Sequence, residues 1–431
     1  MPDNPLPKSK FTLDASGVAG FFGGDEAVYA MTTVNLYQGR RWLGWYNSPG
    51  SYNVAKKYGQ IAHSGIWDGL FPGITVDPAT LFELSGGSGP RYWAVHSGTI
   101  IQNTGHIGNL FLKECEVSVS AKDVREIKGR VTSAVTVTIA KLQSEPKHET
   151  NLLLPQPTIY LAIIPILSSL AACALCGVYG DWYCFSMILL GIITSGLSCF
   201  VIGSAKLCFH HPKPAPGSPR GDGIMTSSKE MVILLGVEGV VNMVTRGEFS
   251  LKFADSPNHG NVGRCSLLLV LQFVAQLLLI PQGSLFGQIM FVGSLGVSWL
   301  YNSYLSSFDR EKIQRRVLRE KILPDMKLTR YKLGTRTTMV AFVLLVLRSS
   351  NPEKLLNNLL PNDTNTWNIW RRVVLEKMKG NLPLSFDDGD YEGVDAAERP
   401  LLENLYKDAK AAYDGFLEFV PGKSDDIEKV A

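Results

Sequence analysis

Residues 159–178 read I-Y-L-A-I-I-P-I-L-S-S-L-A-A-C-A-L-C-G-V and contain no Asp, Glu, Lys or Arg. A lipid hydrocarbon core of about 30 Å is crossed by about 20 apolar residues in a helix. Helices in the core of a soluble protein are rarely apolar on every side over such a length. The run therefore predicts a transmembrane helix.

Further uncharged runs follow the first one. Asp181 separates it from the next, and the long run 265–308 is broken by Pro281-Gln282-Gly283-Ser284. The predicted spans are residues 159–178, 182–205, 265–280 and 285–305. The sequence thus predicts an α-helical integral membrane protein with about four transmembrane helices in two hairpins, within residues 151–205 and 265–308.

Two shorter apolar segments are assigned to positions outside the bilayer. Residues 231–244 contain Glu238 and two glycines and are interpreted as soluble strand structure. Residues 337–347 make about three turns of helix, which suits a buried helix or a membrane-surface segment better than a span. Whether either segment enters the membrane is left open.

The orientation is predicted from the positive charges near the span ends. The two short turns, at Tyr179–Asp181 and at Pro281–Ser284, contain no Lys or Arg, whereas residues 206–264 and 310–336 are rich in both. Cytoplasmic loops carry the excess of Lys and Arg. Both termini and the central loop are therefore predicted to be cytosolic.

The parts outside the membrane are predicted to form four regions. Residues 1–150 alternate short extended runs with glycine-rich turns, which predicts a β-rich or mixed cytosolic region. Its strand candidates are Ala27–Leu36, Arg91–Ile101, Glu116–Ser120 and Val131–Ile139. The other regions are a cytosolic loop with a Pro-rich linker and short strands (206–264), a basic amphipathic juxtamembrane helix (309–335), and a helical C-terminal region with an acidic loop (336–431).

Glutamines within the spans are the candidate intramembrane polar face. Gln272 and Gln276 are four residues apart and share one side of the third span, and Gln288 lies in the fourth. Buried amides need hydrogen-bond partners, so this face is expected to turn inward. The alternatives are helix–helix hydrogen bonds and a solute path. No charged residue falls within a span, which weighs against ion or proton transport.

Cations after the fourth span are candidate contacts for lipid headgroups. They lie between the apolar positions of a helical pattern, and each Lys or Arg near an anionic surface contributes about 1 kcal/mol to binding. The candidates are Arg310, Lys312, Arg315, Arg316, Arg319 and Lys321. The alternative is that this segment simply ends the fourth span in the cytosol.

No cofactor, metal or catalytic residue is predicted with any specificity. Cys208, His210 and His211 lack the second ligand pair of a structural zinc site, and Pro421–Ser424 lacks the glycine spacing of a phosphate-binding loop. A net charge of +3 without a recognisable module argues against nucleic-acid binding. An enzymatic alternative rests on three scattered histidines, which are His63, His96 and His106.

Two stretches carry a resemblance to known sequences. Residues 41–50 read R-W-L-G-W-Y-N-S-P-G, and residues 360–364 read L-P-N-D-T. Both are similar to segments of uncharacterised fungal multi-span membrane proteins, and the similarity extends over most of the chain. The resemblance implies a multi-pass membrane protein and no activity, so no functional residue is transferred from it.

The function predicted from these features is non-enzymatic. Most residues lie outside the uncharged spans, which favours a scaffold, sensor or recruitment protein held at a membrane by its helices. Its predicted partners are the lipid bilayer, anionic lipid headgroups and a cytosolic protein. A small-solute transporter or channel is the first alternative, and a membrane-bound enzyme is the second.

Overall fold

The computed structural model describes residues 22–62, 65–71, 76–143, 152–155, 158–227, 230–256 and 258–419. The chain divides into two compact units. The helical unit comprises Met1–Gly86, His148–His210 and Phe249–Val317, and the mixed unit comprises Gly87–Lys147, His211–Glu248 and Leu318–Ala431.

Helices form most of the described structure. They are α1 (Gly24–Thr32), α2 (Ser51–Ile61), α3 (Gly65–Leu70), α4 (Pro78–Leu81), α5 (Gly105–Ser118), α6 (Ile163–Val178), α7 (Trp182–Ile202), α8 (Glu238–Thr245), α9 (Gly260–Leu279), α10 (Leu285–Ser306), α11 (Arg310–Val317), α12 (Arg336–Leu347), α13 (Pro352–Leu359), α14 (Asn365–Lys379) and α15 (Arg399–Phe419). Short 3-10 turns lie at Thr33–Asn35, Arg40–Trp42, Ala121–Asp123, Ile159–Ala162, Ile280–Gln282 and Asp388–Tyr391, and a π turn at Leu318–Ile322.

Strands lie mainly in the mixed unit. They are β1 (Arg91–Ala94), β2 (Ile100–Ile101), β3 (Arg125–Glu126), β4 (Val135–Lys141), β5 (Lys206–His210), β6 (Gly223–Thr226), β7 (Glu230–Leu235), β8 (Glu248–Lys252) and β9 (Lys327–Leu333). One sheet has the strand order β2-β1-β6-β7-β4-β9-β3, and β5 pairs with β8 in a separate two-stranded sheet.

Three helices of the helical unit are long and apolar enough to cross a bilayer. They are Ile159–Val178, Trp182–Ile202 and Gly260–Gln282, the first and third counted with the 3-10 turn that adjoins the helix. Large apolar side chains point outward from them, with Leu167 60% and Leu271 55% exposed. Small and polar side chains, among them Ser195 and Ser198 of α7, are buried inside together with apolar ones such as Ile188. An outer surface of large apolar side chains suits lipid and not water, so the helices indicate a membrane protein.

The long helices of this unit run antiparallel to their neighbours. Thr194 of α7 contacts Gln272 of α9, and Gln276, one turn later in α9, donates to the carbonyl of Met187, about two turns earlier in α7. The end of α7 at Ile202 therefore lies beside the start of α9 at Gly260. The two short turns lie together at the opposite end, because Asp181 binds Ser284.

A segment that precedes the helices in sequence lies among them in the structure. We call residues 40–50 the inserted segment. A Cβ at Gly203, at the end of α7, would overlap Arg41, and a Cβ at Gly191, in the middle of α7, would overlap Asn47. Glycines therefore let the segment lie directly against the helix backbone, and it runs from the end of α7 to its middle.

The mixed unit is built around the seven-stranded sheet. β4 is parallel to β7 and antiparallel to β9, so the sheet is mixed. Val137, Ile139 and Tyr331 belong to the same hydrophobic core as α12 and Trp370 of α14. All residues of α12 from Thr337 to Leu347 are buried. Of the two alternatives predicted for residues 337–347, a buried helix and a membrane-surface segment, the structure has the buried helix.

Several element predictions are confirmed and others are wrong. The break at Pro281–Ser284, the strands within Arg91–Ile101 and the helices of the C-terminal region are present. Ala27–Leu36 and Glu116–Ser120, predicted as strands, are helical or follow a helix end. Ala27, Ala30, Met31 and Val34 are all buried, and their spacing is that of one helix face.

Two further predictions are partly wrong for local reasons. Residues 231–244 begin as strand β7 but turn at Gly236, whose N–H binds Asp222, and continue as α8. The predicted juxtamembrane helix 309–335 is helical only to Ile322 and then forms β9. Residues 1–150 divide between the two units, with Met1–Gly86 in the helical unit and Gly87–Lys147 in the mixed unit.

Candidate functional site

The three predicted glutamines are all buried in the helical unit. The side chain of Gln272 binds the hydroxyl of Thr194, and Nε2 of Gln276 donates to the carbonyl of Met187 at 3.3 Å. Nε2 of Gln288 donates to the carbonyl of Gly283 at 3.1 Å. Gln272 and Gln276 thus face α7, whereas Gln288 binds the turn just before its own helix.

The inserted segment adds a fourth buried amide at its deepest point. The backbone N–H of Asn47 donates to Ser169 of α6 at 3.0 Å, and its Nδ2 donates to Ser294 of α10 at 2.9 Å. Its Oδ1 lies over Gly191 of α7, on which Nε2 of Gln276 also converges. Within the described residues, Oδ1 of Asn47 and Oε1 of Gln276 are buried without a hydrogen-bond donor. Such oxygen atoms form a polar centre that can accept hydrogen bonds from a small molecule.

A buried carboxylate fastens the two short turns of the helical unit. Asp181 is 8% exposed. It accepts hydrogen bonds from the N–H of Ser284 at 2.7 Å, the hydroxyl of Ser284 at 2.6 Å and the N–H of Cys184 at 3.0 Å. It therefore caps α7 and holds the start of α10 with the same side chain. This position is structural and not a ligand site.

The inserted segment also carries a buried cation. Arg40 is fully buried, and its Nη1 donates to the carbonyl of Leu43 at 3.3 Å. The guanidinium lies over the ring of Tyr301 at 5.3 Å from its centroid. Across the described part of the chain, its Nε and Nη2 have no hydrogen-bond partner and no carboxylate pairs with it. Charges of this kind are costly to bury and often mark functional positions.

The mixed unit has an open cleft of about 760 Å3 across the ends of four adjacent strands of its sheet. Its floor includes Trp93, Met231 and Met339, and its rim includes Arg91 and Arg336. In the sheet, Arg91 of β1 lies opposite Thr226 of β6, and Thr226 lies opposite Met231 of β7. The cleft therefore spans the ends of β1, β6, β7 and β4, a width of about 14 Å at about 4.8 Å per strand.

The cleft has an excess of positive charge. Among the described residues that line the cleft, Glu230 is the one with a carboxylate. Glu230 forms an ion pair with Arg330. Arg336 donates to the carbonyl of Leu359 at 2.9 Å, while neither Arg336 nor Arg91 pairs with a described carboxylate. Trp93 contributes an indole N–H that is buried and unpaired among described atoms. Two guanidiniums without a described carboxylate partner, over an apolar floor, suit a partner that is both acidic and apolar.

The predicted headgroup cations do not form one stripe within one unit. Arg310, Lys312, Arg315 and Arg316 belong to the helical unit, and Arg319 and Lys321 to the mixed unit. Arg310 pairs with Glu83, and Arg319 pairs with Glu114 at 3.2 Å. Arg310 and Arg319 are thus engaged with carboxylates of the described residues. Contact with anionic lipid stays a prediction.

The histidines of the enzymatic alternative occupy ordinary structural positions where they are described. His96 lies 3.3 Å from Asp222, which also accepts from Arg220 at 2.9 Å. His106 is in the first turn of α5, and His63 lies outside the described residues. No group of three His, Cys, Asp or Glu side chains suited to a metal ion occurs in the described ranges.

The inserted segment, Asp181 and the cleft were not identified as sites from the sequence. Asp181 and Ser284 each precede a long helix, and this N-cap pattern was the available signal. The hydropathy of the residues around Arg40 predicts a soluble region, because hydropathy describes local sequence and not contacts with distant helices. The cleft is assembled from distant strands, so no local pattern marks it.

Comparisons of the chain with protein-family models, curated proteins and solved structures found no match. The resemblance of residues 41–50 and 360–364 to fungal membrane proteins therefore stays a prediction.

Proposed function

We propose that the chain is a multi-pass membrane protein that acts as a non-enzymatic sensor or recruitment protein. In this proposal α6, α7, α9 and α10 cross the bilayer as two hairpins and both termini are cytosolic. The mixed unit then recruits a cytosolic protein by binding an acidic and apolar segment of it in the cleft. The observation that carries the proposal is the cleft with two arginines, Arg91 and Arg336, that have no described carboxylate partner.

The membrane part of the proposal is supported by the outward side chains of the helices. α10 has the length of a span, at 22 residues. Its sequence is less apolar than the others because Gln288, Ser294, Ser298 and Asn302 lie in it, but all four of these side chains are buried. Leu300 and Ile289, on its outer side, are 62% and 41% exposed. Because the polar side chains of α10 are buried and its exposed side chains are apolar, the outer side of this helix suits contact with lipid.

The cleft is tested by reversing the charge of its rim. We expect full-length protein in detergent to enrich acidic peptides with apolar residues from a random display library. The double variant Arg91→Glu plus Arg336→Glu should lose this enrichment, because like charges now face the peptide. The matched control is Lys410→Glu, an exposed cation on α15 that does not line the cleft. Equal enrichment by wild type and double variant would show that the cleft is not the recruitment site.

A second candidate function is the passage of a small uncharged solute through the helical unit. The specific observation in its favour is the polar centre formed by Asn47 and Gln276. Their carbonyl oxygens lack donors among the described residues and lie midway along α7. Oxygen acceptors in this position suit solutes that donate hydrogen bonds, such as glycerol or urea.

Solute passage is tested by reconstitution into liposomes. Wild-type protein should speed the equilibration of glycerol or urea after an osmotic step, measured by light scattering. Asn47→Leu plus Gln276→Leu should return the rate to that of protein-free liposomes, because both acceptors are removed. The control Gln38→Leu changes an exposed glutamine outside this centre. An unchanged rate in the double variant would remove this candidate.

A further inference from the structure

The path of the inserted segment resembles that of a re-entrant loop. It begins against the end of α7 at Gly203 and reaches the middle of that helix at Gly191. Twelve helical residues correspond to about 18 Å at 1.5 Å per residue, which is more than half of a hydrocarbon core of about 30 Å. The chain therefore enters the helical unit and turns near its middle.

The chain then leaves the unit along α9. Helix α2 begins directly after the segment, and Tyr52 stacks near Phe273 with ring centroids 5.4 Å apart. Further along α2, the carbonyl of Ala55 accepts from Ser266 at 2.7 Å. Since Ser266 is closer than Phe273 to the start of α9, α2 returns towards the end at which the segment entered. Non-helical backbone at membrane depth is tolerated where protein buries it, as here.

Arg40 lies at the entrance of this loop. Its carbonyl accepts from the thiol of Cys199 at 3.6 Å, and Cys199 is one turn from the end of α7. This position corresponds to the boundary between hydrocarbon and headgroups if α7 spans the bilayer. Aromatic residues are frequent at that level, and Trp42, next to Arg41, is 53% exposed.

The guanidinium of Arg40 has donors to offer and lacks an anion among its described neighbours. Nε and Nη2 are unpaired, and the hydroxyl of Tyr301, whose ring lies under the guanidinium, is also buried without a described partner. The hydroxyl of Tyr46 forms a side-chain hydrogen bond with the guanidinium, and it donates to Oδ1 of Asn302 at 2.8 Å. Gln38 and Gly39, directly before Arg40, are exposed. The buried Arg40 thus directly follows two exposed residues of the chain.

We propose that Arg40 binds a phosphate group at the entrance of the re-entrant loop, with the hydroxyl of Tyr301 as a second donor. Arginine presents parallel N–H groups that match the oxygen atoms of phosphate. Two sources share this chemistry, the headgroup of an anionic phospholipid and free inorganic phosphate. The headgroup source rests on the proposed membrane insertion, and free phosphate does not.

The test measures thermal unfolding of full-length protein in two settings. One is a titration with inorganic phosphate in detergent, and the other compares nanodiscs of phosphatidylcholine with nanodiscs that also contain phosphatidic acid. We expect the unfolding midpoint of the wild type to rise in at least one setting. A response in detergent identifies free phosphate as a ligand, and a response in nanodiscs alone identifies the headgroup.

Variants decide whether Arg40 is responsible. Arg40→Met should abolish the response, and Arg40→Lys should raise the half-saturating phosphate concentration by about tenfold because the fork of donors is lost. The control is Arg41→Met, whose guanidinium lies over Trp42 and Phe200 instead, and it should respond like the wild type. No response of the wild type in either setting, or an equal response of Arg40→Met, would overturn the proposal. If Arg40→Met does not fold, an unchanged response of Arg40→Lys overturns it.

Discussion

Asp181→Ala is expected to lower the free energy of unfolding of the helical unit by about 3 kcal/mol. The substitution removes the acceptor of three hydrogen bonds, two from Ser284 and one from Cys184. Hydrogen bonds to a charged group contribute about 1.5–3 kcal/mol each to stability. The alanine variant loses this contribution, but it also avoids the free-energy cost of burying a carboxylate, which offsets part of the loss. The two short turns should then separate.

The measurement is equilibrium unfolding in mixed micelles, followed by circular dichroism. Asp181→Asn keeps one acceptor oxygen, so it should cost about half as much. The matched control is Asp309→Ala, which removes an exposed cap of the N–H of Lys312 at 3.0 Å and should cost about 1 kcal/mol or less. If Asp181→Ala lowers the free energy of unfolding no more than Asp309→Ala does, the hydrogen bonds of Asp181 do not hold the two turns together.

Asp408→Ala is expected to destabilise the mixed unit by about 3 kcal/mol. Asp408 is fully buried on α15, where it binds Nη2 of Arg130 at 2.8 Å and the hydroxyl of Thr335 at 3.0 Å. The same hydroxyl caps α12 by accepting from the N–H of Thr338 at 3.0 Å. The hydrogen bond with Asp408 raises the pKa of Arg130. Alanine therefore leaves a cation and a helix cap without their shared partner.

Urea denaturation followed by tryptophan fluorescence reports this loss, because Trp370 belongs to the same core. Asp414→Ala is the control, since Asp414 is on the same helix and exposed, and its effect should stay within about 0.5 kcal/mol. Double substitution of Asp408 and Arg130 should cost less than the sum of the single changes. Additive costs would mean that the two residues act independently.

The long helices could be predicted from sequence because their signal is local. A run of uncharged residues fixes both the helix and its apolar surroundings, so α6, α7 and α9 were found with small errors at their ends. The sequence also predicts that helix α12 does not cross the membrane, because it is too short for a span. Local composition therefore determined the helices that suit a membrane.

The remaining architecture depends on contacts that local composition does not contain. Strand β9 reads K-L-T-R-Y-K-L, and its alternating pattern was masked by the basic residues that favoured an amphipathic helix. Asn47 is polar and precedes the first predicted span by more than a hundred residues, so it was assigned to a cytosolic region. Only contacts with Ser169 and Ser294 place it inside the helical unit.

The inserted segment has a consequence for how the protein is made. Asn47 and its partner Ser294 are separated by 247 residues along the chain. At a synthesis rate of about 5–20 residues per second, the segment leaves the ribosome roughly 12–50 s before the helix that completes its binding site. During that interval the segment can meet its partners on α6 and α7, but Arg40 lacks Tyr301 and Asn47 lacks Ser294, so the segment completes its native contacts only after α10 has been made.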